Sequence, residues 1–104
     1  MRIRETKKGG KMVTSIILIE VERSKINEVA AELAAMKGIS EVYSVSGKYD
    51  LIAIARVSSN EGLSDLVTNH LLKISAILKT ETLLAFQAFS KYDLDAMFSI
   101  GLEE

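Results

Sequence analysis

Cysteine is missing from all 104 residues, which excludes disulfides and thiolate metal sites. Histidine occurs once, at His70, with no second histidine at metal-ligand spacing. A zinc-type centre needs several such ligands, so no metal is expected. A single histidine inside a helix pattern also assembles no Ser-His-acid set, and His70 reads as a helix surface or interface residue. Charge of one sign is equally scarce. Lys and Arg total 13 against 14 Asp and Glu, a net charge of −1. No long-range field therefore draws nucleic acid or an acidic membrane. Apolar runs are broken well short of a membrane span. No charged start followed by a long apolar stretch marks a secretory signal. The Gly9-Gly10 pair lacks the preceding strand and following Lys-Ser/Thr of a phosphate loop. The expectation is a soluble cytoplasmic protein with no cofactor.

What is present is a well-patterned domain. Hydrophobic residues make up 48% and charged residues 26%, ordinary for a single globular unit. Residues 1–12 begin MRIRETKKGGK and read as a flexible basic leader, and 13–104 as one domain with a short C-terminal tail. Residues 14–22, TSIILIEVE, predict a strand. Ser24 is placed to cap a helix that turns Ile26, Val29, Ala30, Leu33 and Met36 to one face, with Gly38 at its left-handed end. Residues 40–46 and 51–57 predict two more strands. Ser59 or Asn60 caps a second helix with Leu63, Leu66, Val67 and Leu71 inward. Residues 76–89 predict a long final strand.

The order is β-α-β-β-α-β, and the helical apolar triplet at 26, 29 and 30 recurs at 63, 66 and 67. Two such halves with right-handed crossovers form an α+β, ferredoxin-like sandwich. Its four-stranded antiparallel sheet carries two helices on one face. Yet strands with one bare face should alternate apolar and polar, and these do not. Residues 16–19 are IILI, and Ile52 and Ile54 oppose Leu51, Ala53, Ala55 and Val57. A bare apolar face of that size is unusual on a monomer. A homodimer joined sheet to sheet by a two-fold axis covers it. The competing cover is the tail with Met97, Phe98 and Ile100.

Residues 42–57, VYSVSGKYDLIAIARV, hold a polar break between the second and third strands. Gly47 can supply a positive φ and Asp50 can cap the turn. Asp50 can equally accept an ammonium group, with Gly47 allowing close backbone approach. This stretch resembles the effector-binding domain of the Lrp/AsnC (feast/famine) regulators, in which a Gly-x-x-Asp turn precedes a buried third strand. Thr80-Glu81-Thr82 resembles the family's Thr-x-Thr in the last strand, and Gly38-Ile39 its Gly-Val before strand two. The resemblance covers residues 14–89. Ile74-Ser75-Ala76 stands where the family usually has a Gly, so the turn into strand four is a departure.

The resemblance implies a small effector, typically an amino acid, held between dimers in a larger ring, commonly of four dimers. It implies ligand contacts from Gly47 and Asp50, hydroxyls from Thr80 and Thr82 of a neighbouring subunit, and a side-chain pocket lined by Tyr49 and Leu51. The family's helix-turn-helix is not found in these residues. A stand-alone sensing module is therefore expected, with no direct DNA binding and no membrane. It would act on transcription by co-assembling with full-length relatives. Two other classes remain. One is a dimeric ferredoxin-like enzyme of the monooxygenase kind, for which only Tyr43, Tyr49, Tyr92 and His70 are on offer. The other is an assembly module without ligand.

Overall fold

A computed structural model describes residues 12–89. Residues 1–11 of the predicted leader, the tail and Tyr92 lie outside the described residues. The observed elements are β1 (Val13–Val21), α1 (Ile26–Ala34), β2 (Ile39–Ser44), β3 (Leu51–Val57), α2 (Asn60–Asn69) and β4 (Ile77–Ala85). The sheet order is β2-β3-β1-β4, every neighbouring pair antiparallel. This is the ferredoxin-like α+β arrangement that the element order implies.

Strand alternation sets the core. Ser15, Ile17, Ile19 and Val21 of β1 and Leu51, Ala53 and Ala55 of β3 are buried beneath the helices. Val29 and Leu33 of α1 and Leu66 of α2 close over them. The one buried polar side chain in this set, Ser15, donates its hydroxyl to the Leu83 carbonyl at 2.8 Å, so its burial leaves no unpaired donor. The opposite face carries Ile16 and Leu18 beside Ile52 and Ile54, with Leu83 paired to Ile16. No helix or strand among the described residues lies over it.

Several local expectations changed. Ser24 caps nothing. Arg23–Lys25 form a 3-10 turn instead, closed by the Lys25 amide on the Glu22 carbonyl, and α1 starts at Ile26 without a side-chain cap. Ser59 does cap α2, accepting the Gly62 amide at 3.0 Å. Leu71 is fully buried, but from a 3-10 turn beyond the end of α2. β4 stops at Ala85, four residues before its predicted end. Its only partner strand among the described residues, β1, begins at Val13, and the last ladder pair is Thr14 with Ala85. A strand cannot outlast the backbone it bonds to. Gly38 does not end α1, which stops at Ala34 with Ala35 as its cap. Its φ of 97° instead serves the turn into β2, closed by the Ile39 amide on the Met36 carbonyl at 3.1 Å.

Candidate functional site

The β2–β3 connection is closed by the Val45 amide on the Asp50 carbonyl at 3.0 Å. Between them Gly47 takes φ of 118°, which side-chain-bearing residues rarely adopt. A Cβ built there would meet nothing within 4 Å, so this glycine stands in open space.

Asp50 extends the ladder beyond its last pair. The Asp50 amide donates to the Ile19 carbonyl at 2.9 Å. The next group on that side of β1 is the Val21 amide, and β3 has already turned away from it. The Asp50 carboxylate takes that rung, Oδ2 accepting the Val21 N–H at 2.8 Å. The acid thus replaces a backbone carbonyl at the mouth of the strand. Its other oxygen has no hydrogen-bond partner among the described residues. On the far side of β1, the register with β4 shifts between Glu20 and Val21, leaving Leu78 as the extra residue. The Asp50 contact therefore braces β1 where its other ladder is irregular.

Tyr49 points the other way. Its hydroxyl donates to Glu81 Oε1 at 2.7 Å. Glu81 pairs with Leu18 and stands on the helix-free face. Donation to that carboxylate holds the Tyr49 phenol above its ordinary pKa of 10, with Glu20 adding a smaller like-charge effect. A second polar group borders the same face. Tyr43 donates to Glu41, which raises the Tyr43 pKa. Arg56 donates to Ser40 Oγ at 2.6 Å and lies 3.6 Å from Glu41. The apolar centre of Ile16, Leu18, Ile52 and Ile54 is thus edged by polar pairs at both ends.

The residues nominated from sequence separate into groups. Gly47, Tyr49 and Asp50 share one turn. Thr80 lies opposite Ile19, in the same cross-strand row as Leu51. Two strand spacings of about 4.8 Å place the Thr80 backbone roughly 10 Å from this end of β3. Thr82 is two pairs further along, opposite Ile17, in a shallow groove with Leu63, Val67 and Leu84. Both threonines sit on the helix side of β4. Leu51 is fully buried and packs within its own core. Glu81 and the Val21 amide were not nominated. Glu81 was legible in principle, because alternation turns the middle residue of Thr-x-Thr to the opposite face. The Val21 amide leaves no mark in sequence. His70 is exposed at the end of α2, 3.5 Å from Asp65. Among the described residues no three His, Cys, Asp or Glu side chains converge on a possible metal position, and no helix is long and apolar enough to cross a membrane.

The sheet and its crossovers define a ferredoxin-like α+β domain. The family model for the Lrp/AsnC ligand binding domain matches residues 14–94, and the chain belongs to that family. It is 35% identical over 80 residues to an uncharacterized HTH-type transcriptional regulator of Pyrococcus furiosus, covering 77% of this chain and 53% of that protein. The chain thus spans about half the length of that relative. A crystal structure of a Thermus thermophilus protein superposes with a TM-score of 0.72 at 37% identity, covering 76% of this chain and 99% of the other. A Neisseria meningitidis transcriptional regulator solved as its L-Met complex shares the fold at 12% identity, with a TM-score of 0.69, covering 75% of this chain and 52% of that one.

Proposed function

We propose that this chain is a small-effector sensing domain that acts as a homodimer and influences transcription through assembly with longer family members. The carrying observation is Asp50. One of its oxygens is committed to the Val21 amide, and the other has no partner among the described residues. An acceptor is thereby held rigidly beside a glycine with open space around it. That pairing suits an amino acid, whose ammonium takes the free carboxylate oxygen and whose carboxylate takes turn amides. Thr80 and Thr82 sit on an edge strand, on the side where a neighbouring subunit would meet them. Tyr49, held by Glu81, borders the site. The pocket is completed by other subunits, in a ring of dimers, and the protein works in the cytoplasm without catalysis.

The dimer forms through the helix-free face. Four strands about 4.8 Å apart and some seven residues of about 3.3 Å make this face roughly 400 Å² in projection. That is about half of the roughly 800 Å² that a standard specific interface covers on each partner, so the face supplies the apolar centre of such an interface. Ligand acts by favouring one assembly over another, since equal affinity for both would change nothing.

Thermal unfolding against the twenty amino acids at millimolar concentration tests the reading. A ligand at about 100 times its Kd adds roughly 2.7 kcal/mol. A selective rise in Tm that disappears in Asp50→Asn supports it. Uniform silence across the panel removes the amino-acid assignment and leaves the assembly module ahead.

A further inference from the structure

We propose that the segment Phe86–Phe89 of a second copy of this chain docks in a cleft between the end of α1, the end of β3 and α2. The cleft holds about 560 Å³, with Met12, Met36, Val57 and Leu66 as its apolar lining and Gly38 at its edge. The proposal rests on the sheet-face dimer described above.

The occupant is argued from exposure and position. Phe86 is 95% exposed and Phe89 74%, so the described part of their own chain gives them almost no cover. Each buries about 150–250 Å² when it finds a pocket. The chain runs on past the last ladder pair, Thr14 with Ala85, with no strand among the described residues to bond to. The cleft lies at the same end of the sheet: Met12 precedes β1, Val57 ends β3 and Gly38 precedes β2. Within one chain, however, β4 is one edge of the sheet and β2 the other.

A two-fold axis between stacked sheets and parallel to the strands keeps the ends together and reverses the strand order. It sets β4 of one protomer over β2 of its partner. The two run antiparallel, because β2 is antiparallel to β3, β3 to β1 and β1 to β4. The segment leaving β4 then emerges beside the partner's Gly38. Four extended residues span about 13 Å. Packed layers are about 10 Å apart, so the backbone comes level with the partner's edge strand and the Phe89 side chain projects past it toward the helix side. The two aromatic side chains are thereby buried and the cleft is filled, reciprocally on both protomers.

Lack of native cysteine makes the test direct. Phe89→Cys and Met36→Cys are prepared singly, refolded together, oxidised mildly and run on non-reducing gels beside sedimentation of the unmodified chain. A disulfide forms only where Cα atoms approach to within about 7 Å. The mixture is expected to give covalent dimer several-fold above that from Phe89→Cys mixed with Thr68→Cys, a control on exposed α2. A dimer by sedimentation without that excess overturns the docking and leaves the sheet-face dimer standing. A monomer by sedimentation overturns both. In the Phe89→Cys/Met36→Cys double variant, a bridge within one chain makes the occupant the chain's own tail, and overturns the proposal as well. Uptake of a small apolar fluorescent dye by the cleft in the intact dimer, lost on Met36→Glu, shows the cleft unfilled and has the same consequence.

Discussion

Replacing Asp50 by Ala removes the only acceptor that the described residues offer the Val21 amide. The amide is partly buried at the end of β1, so solvent restores the bond incompletely. A buried donor left unpaired costs about 1–3 kcal/mol, and the bond to a charged acceptor lies in the same range. We take about 2 kcal/mol as the expected loss. For a domain of this size each kcal/mol moves Tm by about 4–8 °C, so Asp50→Ala should melt about 8–16 °C lower. Asp50→Asn keeps an oxygen acceptor at nearly the same place and should lose less than half as much. Urea unfolding of the three proteins at one fixed concentration separates the cost from any change in assembly, since a dimer's apparent stability depends on concentration. The ligand arm runs the opposite way. Asp50→Asn keeps the brace but has no charge for an ammonium, so it should fold well and fail to respond to the effector. Equal stability of Asp50→Ala and the unmodified protein would refute the bracing role. Asn as damaging as Ala would refute the claim that an acceptor, rather than a charge, is what Val21 needs.

Further outcomes follow from the same geometry. Gly38→Ala should be more damaging than Gly47→Ala in paired melts. Both lose a positive φ worth about 1–2 kcal/mol, but only at Gly38 does the new Cβ come 3.3 Å from Val57; equal losses would show that backbone strain alone decides. Ser59→Ala should cost about 1 kcal/mol through the lost cap on α2, whereas Ser24→Ala should be nearly silent by the same denaturation assay, and a matching loss at Ser24 would contradict the 3-10 turn. Ile54→Lys on the helix-free face should leave the far-ultraviolet spectrum intact and shift sedimentation from dimer to monomer; an unchanged dimer would place the interface elsewhere. In a spectrophotometric titration, Tyr49 should ionise above pH 10 because its phenol donates to Glu81. Its folded pKa is raised, so the stabilisation is complete below the unfolded value and fades as pH rises through the folded one. Glu81→Gln should bring that ionisation back toward 10, and no movement would deny the contact.

The helix-free face shows where sequence reading was strongest. Ile16 and Leu18 in a run of four aliphatics already declare two apolar faces, and alternation alone assigns Ile52 and Ile54 to one side and Leu51, Ala53 and Ala55 to the other. The caps behaved unequally for a physical reason. Ser59 precedes a helix that starts at once, while Ser24 lies in a tighter turn where the backbone closes on itself. β4 was overextended because an apolar, β-prone stretch looks the same with or without a partner strand. Its end is set by where β1 begins, which is non-local.

The candidate site divides along the same line. Sequence by itself determined the element order, the two-sided apolar sheet, the turn with Gly47 and Asp50 and the chemistry that turn offers, because spacing, residue type and backbone preference are local properties. Tertiary structure alone decided that Asp50 spends one oxygen on Val21, that Leu51 belongs to the core, that Tyr49 meets Glu81 and that Thr80 and Thr82 lie on an edge strand apart from the turn. Those facts depend on register between β3, β1 and β4, which is fixed by packing of distant segments against one another and has no signature within any one of them.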